Sequence, residues 1–194
     1  MLFNYASKEI VIKIVYYGPA LSGKTTNLEY IYKKTSPQLK GKLISLATES
    51  DRTLFFDLLP IDLGEVKGFN IKLQLYTVPG QVKYNATRKL VLKGVDGIVF
   101  VADSNKEAIE ANVGSIDNLK INFKELGMDC SAIPMVIQFN KQDIPNIASD
   151  EEMNARLNNG NLPYIKSSAI NGTGVFETLR LITKLAIEVL NTKI

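Results

Sequence analysis

The chain has 194 residues, 45% hydrophobic and 22% charged, which suits one globular domain over 1–194 with a sizeable core and leaves no room for a second. Twenty-three Lys and Arg against 20 Asp and Glu give a net charge of +3, spread along the chain without a basic tract, so neither nucleic acid nor a lipid surface is expected as a partner. Histidine is absent, which removes the commonest general base and metal ligand, and the lone Cys130 cannot form an internal disulfide and is expected to be buried and inert.

The first strong pattern is the apolar run at 10–17, a predicted strand, followed directly by Gly18-Pro19-Ala20-Leu21-Ser22-Gly23-Lys24-Thr25. A GxxxxGKT loop between a strand and a helix is a phosphate cradle. Its glycines let the backbone N–H groups and the helix N-terminus converge on an anion. At average residue usage the pattern arises by chance in roughly one chain in a hundred of this length, and the strand and helix around it lower that further. Gly18, Ala20, Ser22, Gly23, Lys24, Thr25 and Thr26 are therefore assigned to nucleotide binding, with Lys24 reaching the β- and γ-phosphates and the Thr25 hydroxyl placed to ligate Mg²⁺.

Further along, short Val- and Ile-rich runs at 43–47, 71–76, 97–102, 134–139 and 162–166 predict, with the first, about six strands, most of them continuous enough to be buried on both faces. Helical patterns lie at 24–34, 81–93, 105–126, 150–158 and 175–191. The last places Val175, Leu179, Ile182, Leu185, Ala186 and Val189 on one face, while 105–126 carries mixed charge and reads as a solvated flank. Alternation of strand and helix implies an α/β, doubly wound, mostly parallel sheet of the P-loop NTPase type, with the ligand at the strand C-terminal ends.

Three further motifs fall at such ends. After 134–139 comes Asn140-Lys141-Gln142-Asp143, an NKxD box about 115 residues beyond the phosphate loop. A carboxylate at Asp143 accepts from guanine N1–H and N2–H₂, donors that adenine lacks, while Lys141 can lie across the purine and Asn140 can brace the loops. After 162–166 stands Ser167-Ser168-Ala169, where a backbone N–H can meet guanine O6, which adds Ser168 and Ala169 to the nucleotide set. After 71–76 comes Thr77-Val78-Pro79-Gly80-Gln81: the Gly80 N–H can bind a γ-phosphate and the Gln81 amide can orient the attacking water. Ras-like GTPases have DxxGQ here, so Thr77 replaces an Asp that helps hold Mg²⁺, and Asp57 and Asp51 stand open as substitutes. In Thr48 to Asp57, Thr53 is the threonine expected to close over Mg²⁺ and the γ-phosphate, and Arg52 can bring positive charge to the transition state.

TVPGQ and ESDRTLFFDLLP, with KIVYYGP before the cradle and LKGVDGIVFVADS after Gln81, resemble the MglA family of bacterial Ras/Arf-like small GTPases over nearly the whole chain, including the Thr for Asp at Thr77. The resemblance implies a GTP-hydrolysing switch using GTP/GDP and Mg²⁺, which sets cell polarity and directs gliding or twitching motility. It implies hydrolysis stimulated by a roadblock-type homodimer, MglB, with Arg52 as an intrinsic arginine finger and Gln81 as the catalytic glutamine. It also implies that 58–69 moves between nucleotide states, that 48–68 and 77–94 meet polarity and motility effectors, and that the GTP form is recruited to a cell pole.

Two other readings are weighed. One is a scaffold that binds GTP without useful turnover, Thr77 marking lost catalysis, against which Gln81 and Arg52 speak. The other is an Arf-like membrane-trafficking GTPase. The start Met1-Leu2-Phe3-Asn4 lacks the Gly needed for myristoylation, and no cationic leader or long apolar run is seen, so a cytoplasmic protein without a lipid anchor is expected.

Overall fold

Valine and isoleucine are densest where strands must be covered on both faces, because branched side chains pack well on a pleated surface and make no polar demand on their neighbours. In the computed structural model, which describes residues 2–4, 7–47, 53–66, 68–159 and 161–191, such runs form the middle of one sheet. Its strands are β1 (Leu2–Asn4), β2 (Glu9–Tyr17), β3 (Ile44–Ala47), β4 (Thr53–Val66), β5 (Phe69–Thr77), β6 (Gly97–Asp103), β7 (Met135–Asn140) and β8 (Tyr164–Lys166). The order is β3-β4-β5-β2-β6-β7-β8, with β1 antiparallel to the first half of β2. Strands β5, β2, β6, β7 and β8 are mutually parallel, while β3 and β4 add an antiparallel wing.

The described sheet thus has eight strands where the pattern predicts about six. The two additions are β1, only three residues long, and β4, whose TLFFDLLPIDLGEV carries a proline, a glycine and three acids and does not read as a strand. The proline is tolerated because β3 pairs with β4 only as far as Leu58, so at Pro60 the outer edge is open and no ladder N–H is needed. The Pro60 carbonyl instead accepts from the Gly41 N–H at 2.9 Å. The stretch 58–69 lies largely in β4 and the start of β5, paired from Leu58↔Tyr76 to Val66↔Phe69 with an irregularity between Asp62 and Glu65.

Helices α1 (Lys24–Lys34) and α5 (Val175–Asn191) cover one face, with Leu28, Ile31, Val175, Leu179, Ile182 and Ala186 packed on Ile12, Ile14, Leu73 and Leu75. Helices α2 (Asn85–Leu92), α3 (Ile109–Glu125) and α4 (Asp150–Leu157) cover the other, meeting Val15, Ile98, Phe100 and Ile137. β6 and β7 are buried throughout, whereas β5 alternates because the wing is covered mainly by α1 on one side. The face that α3 presents to the sheet is apolar despite its mixed charge, with Ile116, Leu119 and Phe123 buried. Cys130 is half-buried rather than buried, in a 3₁₀ turn, and burial pushes its thiol pKa up, which keeps it a poor nucleophile. Among the described residues no helix is long and apolar enough to cross a membrane.

The chain leaves β2 for one side of the sheet and returns to the other, so β2 lies between β5 and β6 and its C-terminal end is the crevice where the strand order reverses. The phosphate loop opens there. Residues 77–81, 140–143 and 167–169 follow the ends of β5, β7 and β8 along the same rim.

Candidate functional site

The phosphate loop is shaped by what glycine permits. Gly18 has φ 147° and Gly23 φ 96°, and a Cβ on either would stand 2.2 Å from the Val101 carbonyl oxygen or from Asn140 Nδ2. Between them Leu21 holds φ 62° with 62% of its surface exposed. Lys24 is buried, and its ammonium donates to the carbonyls of Gly18 (3.1 Å) and Pro19 (2.5 Å). Burial lowers its pKa to about 7; the Arg88 charge adds to the effect and the Asp57 carboxylate opposes it. A phosphate bound in the loop would supply a counter-charge that two carbonyls provide only in part. Thr26 is half-buried on α1, Ala20 is exposed on the loop, and the Ser22 side chain is buried, so Ser22 offers its backbone to this site.

Asn140, at the end of β7, ties the loops together. Its Nδ2 donates to the Ser22 carbonyl at 2.7 Å, and its Oδ1 accepts from the Ala169 N–H at 2.9 Å and the Ser167 hydroxyl at 3.1 Å. One buried amide thus fixes the distance between the phosphate cradle and both base-side loops. Lys141 takes φ 69° and pairs with Asp103 at 2.6 Å, which holds its aliphatic stem along the loop. Asp143 is exposed, with Oδ1 accepting from the Ser168 hydroxyl at 2.5 Å, which orients the carboxylate. Of the backbone N–H groups in this loop, that of Ala169 is engaged by Asn140. The next residue, Ile170, is 72% exposed and gives the same loop an apolar side chain.

Residue patterns missed the support beneath these loops. Gln138 in β7 and Asn27 in α1 are fully buried and exchange reciprocal amide bonds of 2.9 and 3.0 Å. Asn27 also donates to the Gly23 carbonyl at 2.9 Å, and Gln138 donates to Thr178 of α5 at 3.1 Å. The only signal in the sequence is one amide inside the apolar run Pro134 to Phe139.

At the other end of the cradle Thr77 is hydrogen-bonded to one of the two acids weighed as its substitute. Asp57 on β4 is fully buried: its Oδ2 accepts from the Thr25 hydroxyl at 2.6 Å and the Thr77 hydroxyl at 2.7 Å, and its Oδ1 accepts from Ser45 at 2.5 Å. The Asp57 N–H donates back to Thr77 Oγ1 at 2.9 Å. A carboxylate therefore reaches the Thr25 hydroxyl across the strand pair. Among the described residues no group of three or more His, Cys, Asp or Glu is arranged to hold a metal ion. One buried carboxylate beside a loop hydroxyl is a hard-oxygen donor set that fits Mg²⁺, which is held by few protein groups and takes its other oxygens from phosphate and water. Thr53 opens β4 and pairs through its backbone with Ala47; Arg52 and Asp51 lie outside the described residues.

After β5, Gly80 lies against the phosphate loop, where a Cβ would stand 2.2 Å from the Ala20 nitrogen. Gln81 follows in extended backbone ahead of the 3₁₀ turn Val82–Tyr84.

Comparison with known proteins places this geometry. The ADP-ribosylation factor (Arf) family profile matches residues 1–186. The chain is 60% identical over 184 residues to the mutual gliding-motility protein MglA of Myxococcus xanthus, covering 95% of this chain and 94% of that protein. It is 26% identical over 193 residues to the Ras-related protein Rab7 of Cenchrus ciliaris, and 24% identical over 173 residues to the Ras-related protein Rab-9B of Mus musculus. Those two matches cover 93% and 88% of this chain and 84% and 80% of the relatives.

Proposed function

Since the chain belongs to the MglA family of Arf-type small GTPases, binding guanine nucleotide and hydrolysing GTP, we propose that it is a Mg²⁺-dependent switch for bacterial motility and cell polarity, turned off with the help of a roadblock-type homodimer. The observation that carries the nucleotide assignment is the Asn140 brace, which joins the loop that can cradle phosphates to the two loops that can read a base. Gly18, Ala20, Ser22, Gly23, Lys24, Thr25 and Thr26 receive the phosphates. Asn140, Lys141, Asp143, Ser168 and Ala169 receive the guanine.

Mg²⁺, when bound, neutralises charge on the β- and γ-phosphates. Thr25 and Thr53 are the hydroxyls assigned to it, and Asp57 supplies the carboxylate that Thr77 does not. The Gly80 N–H and the Gln81 amide act on the terminal phosphate and the attacking water, and Arg52 supplies positive charge to the transition state.

A two-state switch is driven fully across by about 5.5 kcal/mol of differential affinity. Charge-assisted hydrogen bonds contribute about 1.5 to 3 kcal/mol each. Two or three contacts made only with a terminal phosphate, by Thr53 and Gly80 among others, are enough to close 48–68 and 77–94 into an effector surface.

Family likeness supports the partner and polarity assignments. The deciding experiment compares Gln81→Leu and Arg52→Ala with the parent chain in single-turnover hydrolysis, with and without the roadblock partner. Both variants are expected to bind GTP as the parent does and to lose about 10³- to 10⁵-fold in stimulated rate for the arginine change. Full stimulated turnover in either variant would refute its assignment, and a partner that fails to accelerate the parent refutes the roadblock reading.

A further inference from the structure

One buried guanidinium stands beside the catalytic segment. Arg88 of α2 is 4% exposed, and its Nη1 donates to the Gln81 carbonyl at 2.9 Å and the Pro79 carbonyl at 3.2 Å. Its Nη2 donates to Asn85 Oδ1 at 3.3 Å. Asn85 Oδ1 in turn accepts from Asn122 of α3 at 2.9 Å, and Asn122 donates to the Tyr17 hydroxyl at 3.1 Å. Tyr17 is the last residue of β2 before Gly18. A continuous set of hydrogen bonds thus runs from the root of the phosphate loop, through a helix on the opposite side of the segment, to the backbone on either side of Gly80.

The two carbonyls are not interchangeable anchors. The Pro79 C=O and the Gly80 N–H are opposite poles of one planar trans peptide, so holding the oxygen toward Arg88 turns the N–H away from it. Gly80 also lies close against the phosphate loop, where a Cβ would meet Ala20, so an N–H turned away from Arg88 belongs to a residue in contact with that loop. The Gln81 C=O belongs to the Gln81–Val82 peptide, so the two anchors flank the Gly80–Gln81 peptide between them. The guanidinium serves both carbonyls from Nη1 and keeps Nη2, at a fixed separation in the same plane, for Asn85. Burying a charge is costly unless it is well hydrogen-bonded, and these carbonyls and the Asn85 amide supply acceptors.

We propose that Arg88 is a positioning residue for GTP hydrolysis, holding Pro79 to Gln81 in the arrangement that presents the Gly80 N–H and the Gln81 side chain to a terminal phosphate. The inference rests on the roles proposed above for Gly80 and Gln81. It separates Arg88 from Arg52: one holds the backbone that carries the machinery, the other is assigned charge for the transition state.

The test uses the full chain, with Arg88→Lys and Asn85→Ala measured beside Gln81→Leu. Affinities for GDP and for a non-hydrolysable GTP analogue are titrated, single-turnover hydrolysis is timed, and thermal melts report folding. Because Gly80 meets only a terminal phosphate, GDP affinity in Arg88→Lys should stay within about threefold of the parent while hydrolysis falls about 10- to 100-fold, the loss of one or two charge-assisted bonds. The triphosphate analogue should weaken selectively. Asn85→Ala, which frees the guanidinium without removing it, should show the same split at smaller size. Unchanged hydrolysis in Arg88→Lys, or equal loss of GDP and triphosphate binding, overturns the proposal. If Arg88→Lys does not fold, Asn85→Ala decides alone, a triphosphate-selective loss supporting the idea and no change sinking it. Should Gln81→Leu hydrolyse normally, the reading of Gln81 fails first; should Gln81→Leu be slow and Arg88→Lys fast, only the positioning role fails.

Discussion

Asp57→Asn isolates the charge that the Thr77 position lacks, because the substitution keeps the shape and removes one negative charge. In the parent, Oδ2 accepts hydrogen bonds from both Thr25 and Thr77 and Oδ1 accepts one from Ser45. An amide offers one oxygen and an NH₂ group, and the hydroxyls opposite the NH₂ can rotate to accept, so the network can be rebuilt with neutral bonds. Exchanging charge-assisted bonds for neutral ones removes about 1 to 2 kcal/mol per bond, which the fold can absorb. Mg²⁺ has no such substitute, since the carboxylate is the buried acceptor next to the Thr25 hydroxyl. Loss of one hydrogen bond to a charged group, about 1.5 to 3 kcal/mol, corresponds to about 10- to 150-fold in the Mg²⁺ concentration needed to hold nucleotide. The assay is the release rate of a fluorescent guanine nucleotide across a Mg²⁺ titration, with a melt to show that the variant is folded. The midpoint should move upward by that factor in Asp57→Asn, and Thr77→Asp in the same background should move it back. An unmoved midpoint in a folded Asp57→Asn would refute the idea that β4 donates the metal-side carboxylate.

Asn140→Ala should act on every nucleotide alike. It strands the Ser22 carbonyl, the Ala169 N–H and the Ser167 hydroxyl, at about 1 to 3 kcal/mol for each buried group left unpaired, so the melt should fall and GDP and GTP affinities drop by equal factors. A loss confined to GTP would contradict the bracing role. Lys24 gives a pH signature. Its folded pKa, near 7 without nucleotide, lies below the ordinary 10.5, so the unfolded chain binds more protons than the folded one between those values. Stability of the nucleotide-free protein should therefore rise with pH from about 7 toward 10.5, and the penalty should be complete below pH 7. Phosphates favour the ammonium, so GDP binding at pH 8 to 9 should take up close to one proton, read by calorimetry in buffers of different ionisation heat, and Lys24→Met should abolish the uptake. Equal heats in all buffers for the parent chain would exclude a neutral Lys24.

What the sequence discloses and what it hides follow one physical division. The phosphate loop, NKxD and PGQ are legible because their chemistry depends on backbone conformations and donor types that few residues supply, as Gly23 against Asn140 and Gly80 against Ala20 show. The helices are legible because one face must be apolar over several turns, as with Val175 to Ala186. β4 is not, since a wing strand covered mainly on one side can hold Pro60, Gly64 and three acids without breaking its ladder, and its pairing depends on β5 rather than on its own pattern. Asp57, Arg88 and Gln138 share that obscurity. Each is a polar residue in or beside an apolar stretch, and apart from Asn85 beside Arg88 its partners lie 20 or more positions away or on a different element. The same division separates binding from switching. The loop motifs supply the groups assigned to the nucleotide, whereas the groups proposed to couple a terminal phosphate to shape, Asp57 from β4 and Arg88 from α2, reach the site only after the strands and helices have assembled. A variant series read for the difference between GDP and GTP, rather than for affinity alone, is therefore the measurement that distinguishes these two kinds of residue.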